Sequence, residues 1–487
     1  MTRTQITLAL ALLTLTAGLT AAAPKEYPFT VSPDKAFDRL AGLEKASGQK
    51  RSITEAEARL FADVRDGKLD EFSFAEACLI ASGVTDAGAR KKYVAEIDRI
   101  EADARKAVEA AKTPAEKGEK LLKFLHAGPM AKGYESKQTD LHTILDTGHF
   151  NCVSSAVLYN VIGRRLGLDL KAVEIPEHVF SVLCDGDKRI DIETTNALGF
   201  DPSDDQPSGA KKSTKAQRHA NNRREVGETG LASIIAYNHG VGLSQEKKFH
   251  ESILENFRAL ALDPTNPSAM KNAIADLTNW PLELSKESKY EEALSTLAIG
   301  LDLAPKTSAL KNNHKVLWNE YAEWRMKNGK AEEALIILRR AAKADTGEDF
   351  DTRQAYLFAK PAHAKMDAGE WDEALKIIDN GLKLVDAKAK KKLREQRVGV
   401  FLNWASKEQD DGRFESALTV LKRAAAEEKD SRIKNNTLAV YDAWANGHMS
   451  KGEWAKAIEI YEMGLKHLPG DPHLKGNLAY CRQESKK

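Results

Sequence analysis

Cys152 lies in the run Gly148-His149-Phe150-Asn151-Cys152-Val153-Ser154-Ser155-Ala156-Val157-Leu158-Tyr159, where polar residues give way to an apolar, helix-forming stretch. Asn151 is a good helix N-cap, which sets Cys152 in the first turn. Unpaired backbone N–H groups and the helix dipole favour an anion there, hence a thiolate over a thiol. The same amides can steady an oxyanion on a substrate carbonyl. A cysteine nucleophile also needs a base, and His178 heads the strand-like run His178-Val179-Phe180, 26 residues on. A third group must hold the imidazole. Asp185-Gly186 is a strong two-residue hairpin signal. With that turn Cys184 pairs with Asp187, His178 lies opposite Glu193, and Asp191 faces Phe180 on the same face. Glu193 and Asp191 are both candidates, and this register favours Glu193.

These residues need a helix and a sheet to hold them. The spacing predicts a helix from Cys152 to Leu166, then β-branched runs at Leu170 to Ile175, His178 to Cys184 and Arg189 to Glu193, forming a small antiparallel sheet. Ahead of it, apolar residues recur at three and four spacing from Asp34 to Leu125, as at Tyr93, Ile97 and Ile100, so residues 24–120 read as helical. Thr113-Pro114 is a helix start. After the sheet, residues 201–225 are polar with almost no apolar side chain, a solvated loop or linker whose Lys211, Lys212, Arg218, Arg223 and Arg224 need no partner beyond water.

From Val226 to the end a repeat emerges. A small residue recurs at Ser252, Ala293, Ala334, Ala374, Ala417 and Ala457, and another seven positions later at Ala259, Gly300, Ala341, Gly381, Ala424 and Gly464. An aromatic precedes the first column by three in five of the six repeats (Phe249, Tyr290, Trp371, Phe414, Trp454), and Ala331 departs from it. Pro264, Pro305 and Pro469 close three of the second helices. Small residues let two helices approach, the aromatic fills the space beside them, and proline ends the second helix. About six stacked helical hairpins over residues 226–487 are expected.

The Asn151-Cys152-Val153-Ser154-Ser155 helix start, the His178-Val179-Phe180 strand and the block Ile190-Asp191-Ile192-Glu193-Thr194-Thr195 together resemble the transglutaminase-like superfamily. The nearest flavour is its SirB1-type branch, in which such a domain precedes tetratricopeptide repeats. The repeat columns, with Gly240 in the first opening helix, are similar to that repeat, although the spacing of 40 to 43 residues exceeds its usual length of about 34. The resemblance implies a papain-like α+β domain over residues 121–200 with a helical preamble, followed by an all-α tetratricopeptide superhelix. It also implies thiol chemistry on amides, as hydrolysis or acyl transfer, with no cofactor. The acid maps onto Glu193 in the Asp-x-Thr block of the wider superfamily and onto Asp191 in the SirB1 branch. Some members of the superfamily lack the nucleophile, so a non-catalytic scaffold is the alternative function.

Composition narrows the rest. Lys+Arg 73 against Asp+Glu 72 leaves a net charge of +1, which argues against nucleic acid as a partner, and a repeat array expects a protein or peptide in its groove. Met1-Thr2-Arg3, an apolar run from Ile6 to Leu19 and Ala21-Ala22-Ala23 read as a signal peptide over residues 1–23, cut near Ala22 or Ala23. The expected mature protein is periplasmic, cell-surface or secreted, with no membrane span. Cys78, Cys184 and Cys481 are too scattered for a disulfide framework and read as packing residues. His142 and His149 are near enough in sequence to line the pocket, but no metal-ligand spacing is present.

Overall fold

The computed structural model describes residues 53–202, 223–344 and 349–486. The expected signal peptide and Lys211, Lys212 and Arg218 lie outside the described residues. The described chain forms two compact units, one running to Leu277 with 299–307, the other made of 278–298 and the chain from Ser308.

In the first unit four helices lead in: α1 (Glu55–Asp63), α2 (Phe74–Ala81), α3 (Ala87–Val108) and α4 (Pro114–Ala127). Sequence-local capping sets their starts. Thr54 and Glu57 form a capping box at α1, Ser73 and Glu76 another at α2, and Thr113 caps α4 with Pro114 in its first turn. A short parallel pair, β1 (Gly133–Tyr134) and β2 (His149–Phe150), brackets α5 (Leu141–Thr147). Then come α6 (Cys152–Arg165), β3 (Leu170–Ile175), β4 (His178–Asp185) and β5 (Lys188–Ile192). From Val153 to Gly163 every residue of α6 is buried, so this helix is the centre of the domain core rather than an amphipathic surface element. It lies against the sheet, where its Asn160 donates to Ser181 Oγ of β4 at 2.7 Å.

The sheet differs from the expected one in two ways. It has a fourth strand, β6 (Arg224–Val226), giving the antiparallel order β5-β4-β3-β6. Arg223 and Arg224 are consequently partnered: Arg223 makes a two-pronged pair with Asp191 at 2.6 and 2.9 Å, and Arg224 pairs with Glu174 at 2.9 Å and with Asp263. A three-residue strand with one apolar side chain carries too little periodicity to be read from sequence. The β4–β5 turn is also Gly186-Asp187 rather than Asp185-Gly186, since Asp185 pairs with Lys188 and Cys184 with Arg189. This turn puts Gly186 at φ +59° and spares Asp185 a left-handed backbone. The ladder is thereby shifted by two residues, which keeps every side chain on its expected face.

The first helical pair, α7 (Glu228–Gln245) and α8 (Phe249–Leu262), packs within this unit against α2. Helices α9 (Pro267–Lys286) and α10 (Tyr290–Leu303) follow, and then four packed pairs: α11 (Ser308–Lys327) with α12 (Ala331–Lys343), α13 (Phe350–Asp367) with α14 (Trp371–Leu384), α15 (Ala387–Asp410) with α16 (Phe414–Glu427), and α17 (Ser431–Met449) with α18 (Trp454–His467). Helix α19 (Pro472–Glu484) ends the array. Each second helix begins at the aromatic column or at Ala331 and spans 13 or 14 residues, whereas first helices span 18 to 24, so the long period resides in the first helices. The small columns are buried, and a Cβ on Gly381 would come within 2.6 Å of Phe358 and 2.7 Å of Leu393. No described helix is long and apolar enough to cross a membrane.

Candidate active site

The N-terminus of α6 is built from the cap outward. Asn151 Oδ1 accepts from the N–H groups of Val153 (2.9 Å) and Ser154 (3.1 Å), Ser154 Oγ accepts from Asn151 N–H at 3.0 Å, and Ser155 N–H donates to the Asn151 carbonyl. Cys152 is thus fixed as the first helical residue. The cap also spends most of the amides that an oxyanion would need. Among the described residues only Cys152 N–H remains without an acceptor in this first turn, a narrower donor set than the sequence suggested.

Behind the cap is a second layer. Asn151 Nδ2 donates to Thr139 Oγ1 at 2.8 Å and to the Ser136 carbonyl at 3.1 Å. Thr139 also receives Asn238 Nδ2 of α7, and neighbouring Asp140 meets His239 Nε2 at 2.6 Å. Burial disfavours charge on His239, but its bonds to Asp140 and Glu255 outweigh that and push its pKa up to about 10. The first repeat pair therefore grips the 135–140 segment that supports the cap.

His178 opens β4 immediately after the tight turn Pro176-Glu177, whose second residue sits at φ +61°, an uncommon conformation for a glutamate. Its Nε2 lies 2.6 Å from Glu193 Oε2, and Cys152 is the other group that acts on the ring's charge. The imidazole stacks on Phe180 with ring centres 6.2 Å apart. Burial opposes its charge, but the bonds to Cys152 and Glu193 prevail and raise its pKa from 6.5 to about 10. Glu193 is 1% exposed. Burial pushes its carboxyl up, yet the bonds from His178 and Thr195 hold it below the usual carboxylate range. The surroundings of His178 therefore favour its charged form beside the Glu193 carboxylate.

Three consecutive residues divide the support. Glu193 holds His178. Thr194 shares a 2.9 Å hydrogen bond with Ser155 Oγ on α6, and its carbonyl meets His126 Nε2 at 3.0 Å. Thr195 donates from Oγ1 to Glu193 Oε1 at 2.7 Å. A tight return follows, in which Glu193 N–H donates to the Gly199 carbonyl at 2.7 Å and a Cβ on Gly199 would lie 2.1 Å from the Glu193 carbonyl. Only glycine fits there.

Of the two acids read from the sequence, Glu193 reaches His178 and Asp191 does not. Asp191 pairs across the ladder with Val182 and is engaged by Arg223, which also lies over the Phe180 ring at 5.2 Å. In the observed register Glu193 reaches His178 diagonally rather than directly, a span a glutamate side chain covers. His142 and His149 are turned to other partners, His142 to Tyr93 and His149 to Glu135, and the histidine beside the acid block is His126. Sequence reasoning also missed Thr139 and Asn238. Each lies 12 or more residues from the Cys, His and acid blocks, so no local spacing flags them. Cys78, Cys184 and Cys481 are free thiols whose pKa values burial raises. No cluster of metal-ligating side chains occurs among the described residues.

Residues 91–202 match the family model of the transglutaminase-like superfamily. No match was found among curated proteins. Among solved structures the chain is similar to menin, from a structure described as revealing the binding site for the Mixed Lineage Leukemia protein, at 13% identity over 86% of this chain and 98% of that one, with a TM-score of 0.31. It is similar to the P58(IPK) TPR domain at 10% identity, over 80% and 98% of the two chains, TM-score 0.16. A tetratricopeptide repeat protein from Parabacteroides merdae matches at 14% identity, over 53% and 100%, TM-score 0.17. Scores this low carry no argument about function. The family match, the Cys-His-Glu geometry and the buried small-residue columns make residues 91–202 a transglutaminase-like domain, joined in one chain to helical repeats of the tetratricopeptide type.

Proposed function

We propose that this protein is an exported cysteine hydrolase or acyltransferase that acts on amide or peptide bonds, with its helical repeats binding the protein that carries or follows the substrate. The observation that carries the reading is the line Cys152, His178, Glu193, in which one largely buried imidazole is hydrogen-bonded to a carboxylate and has the thiol of a helix N-terminus as the other group acting on its charge. Cys152 sulfur attacks the carbonyl carbon and the π electrons move to oxygen, where Cys152 N–H donates to it. Collapse restores the carbonyl and breaks the C–N bond, and the leaving amine takes the proton from His178. Neutral His178 then removes a proton from water, or from an acceptor amine, as that nucleophile attacks the thioester. Expulsion of the sulfur regenerates the thiolate and imidazolium. Glu193 keeps the ring oriented throughout and stabilises it whenever it carries the proton.

The test is a screen of fluorogenic peptide amides, with and without added amine, against the wild type and Cys152→Ala. Turnover that vanishes in the variant supports the reading, and turnover that survives it, or none from the wild type, counts against it. Export is checked by sequencing the mature N-terminus, expected to begin next to Ala22 or Ala23 in the extracytoplasmic fraction.

A further inference from the structure

We propose that Asn238, on the first helix of the repeat region, is a positioning residue for the Cys152 nucleophile and acts through Thr139 and Asn151. This rests on the reading of Cys152 as the acylated nucleophile and extends the machinery behind it past residue 202, into the first helical pair.

The packing of α7 brings Asn238 to the site. Leu231, Ile234 and Ile235 share one hydrophobic core with Val153, Val157 and Ile162 of α6. Positions 231, 234 and 235 form one stripe of a helix, and 238 is the next member of that stripe, about two turns on from Leu231. The apolar residues fasten the stripe to the nucleophile's helix, and its polar end emerges behind the cap. There Asn238 Nδ2 donates to Thr139 Oγ1, on a residue only 4% exposed. Asn151 Nδ2 donates to the same oxygen at 2.8 Å. A hydroxyl oxygen has two acceptor lone pairs, so Thr139 is filled from both sides, by the cap residue and by the repeat.

The neighbouring residue keeps α7 in this register. His239 Nε2 lies 2.6 Å from Asp140 Oδ1, and behind it Glu255, Arg258 and Glu57 continue a row of alternating charge back to α1. Arg258 meets Glu255 at 2.8 Å and Glu57 at 2.5 Å. Sliding α7 along the 135–140 segment would part these largely buried pairs together. That segment also supplies the Ser136 carbonyl to Asn151 Nδ2 and the Gln138 carbonyl to Asn151 N–H and Ser154 Oγ.

The effect falls on Cys152. Thr139 and Ser136 orient the Asn151 amide, whose Oδ1 holds the N–H groups of Val153 and Ser154 and with them the first turn of α6. Acyl transfer needs the sulfur, the imidazole and the Cys152 N–H aligned on one carbonyl at the same moment, and small misplacements are costly. Alkylation needs only an accessible thiolate. Loss of the Asn238 donor should therefore slow the first reaction more than the second.

The experiment uses the full chain and two probes. Iodoacetamide reports the thiolate alone, because sulfur displaces iodide and no oxyanion forms. p-Nitrophenyl acetate acylates the thiol through a tetrahedral intermediate and releases p-nitrophenolate. Asn238→Ala, Thr139→Val and the double variant are compared with the wild type. Asn238→Ala is expected to give a burst of full amplitude that is about three- to fivefold slower, with alkylation within about twofold. In the Thr139→Val background the same substitution should change the burst rate by less than about 1.5-fold, because its acceptor is already gone, whereas independent effects would multiply. A merely structural role reads differently, since partial unfolding lowers the amplitude and leaves the rate of the folded remainder unchanged. That pattern, an undiminished burst, equal slowing of both reactions, or full multiplication in the double variant overturns the role of Asn238. Asn238→Leu, close in volume and without a donor, takes the place of the Ala variant should the latter fail to fold. If wild-type Cys152 alkylates no faster than Cys184 or gives no burst, the nucleophile reading itself has failed and the proposal falls with it, a result recognisable because it needs no variant.

Discussion

The α6–β4–β5 neighbourhood and the helical repeats hold themselves together by opposite means. In the repeats one packing solution is used six times: small residues seven apart on the second helix, buried against neighbours, as at Ala374 with Gly381 or Ala417 with Ala424. Around Cys152 almost every contact is made once. Asn151, Ser155, His178, Glu193, Thr194 and Thr195 each bond a specific partner from another element or turn. Repetition spreads stability over many equivalent contacts, whereas the site concentrates its chemistry in a few bonds that have no substitute. Damage to one should be absorbed, and damage to the other should be disproportionate.

The largest effect that would sharpen this contrast is at the nucleophile and its base. Cys152→Ala is expected to abolish acylation, and His178→Ala to slow it by about 10²–10⁴, both read from the p-nitrophenolate burst. Next comes Glu193→Gln, which leaves an imidazolium facing a neutral amide. It should cost about 1.5–3 kcal/mol in urea unfolding, the range for hydrogen bonds to charged groups. The pH dependence follows from two shifts of opposite sign. Because the folded pKa of His178 is raised from 6.5 to about 10, its share is complete below about 6.5 and is lost as pH rises through about 10. Because that of Glu193 is lowered, its share is present above the normal carboxylate range and is lost as pH falls through the depressed value. The difference between wild type and Glu193→Gln should therefore peak near pH 5–6 and shrink toward pH 10. A difference that is flat from pH 5 to 10 would break the charged-pair account.

Gly381→Ala tests the other side of the comparison. The added methyl meets Phe358 and Leu393, so overpacking of about 1–3 kcal/mol is expected by thermal or urea unfolding, with Cys152 labelling unchanged. Loss of labelling there would mean that the repeats are not the forgiving half. The smallest effect is expected from Asn238→Ala, which removes one hydrogen bond to Thr139 two steps from the nucleophile. About 1 kcal/mol and a few-fold slower acylation should result, with no change in the pH at which alkylation responds.

The same contrast explains what the sequence disclosed. The repeats were legible because a column of Ala and Gly at fixed spacing is itself the packing rule, and the structure adds only that the extra length lies in the first helices. The Cys, His and acid blocks were legible because a capped helix start and two strands leave few ways to bring them together. Which acid serves His178 was not, since it depended on where the β4–β5 turn closes. Gly186 takes the left-handed position and moves the ladder by two residues, an even shift that kept Glu193 on the right face. Arg223 then claims Asp191, a pairing that crosses 32 residues and leaves no trace in local spacing. Asn238 was invisible for the same reason, because it acts through a helix contact that only the fold creates.

The central claim is that His178 and Glu193 activate Cys152, and one measurement addresses it most directly. Native protein is treated with limiting iodoacetamide at pH 6 and digested, and the labelling rates of Cys152 and Cys184, both partly exposed, are compared by peptide mass in the wild type and in His178→Ala. The account predicts that Cys152 reacts more than about tenfold faster than Cys184 in the wild type and loses most of that advantage without His178. Equal rates for the two cysteines in the wild type, or an advantage that survives His178→Ala, would contradict it.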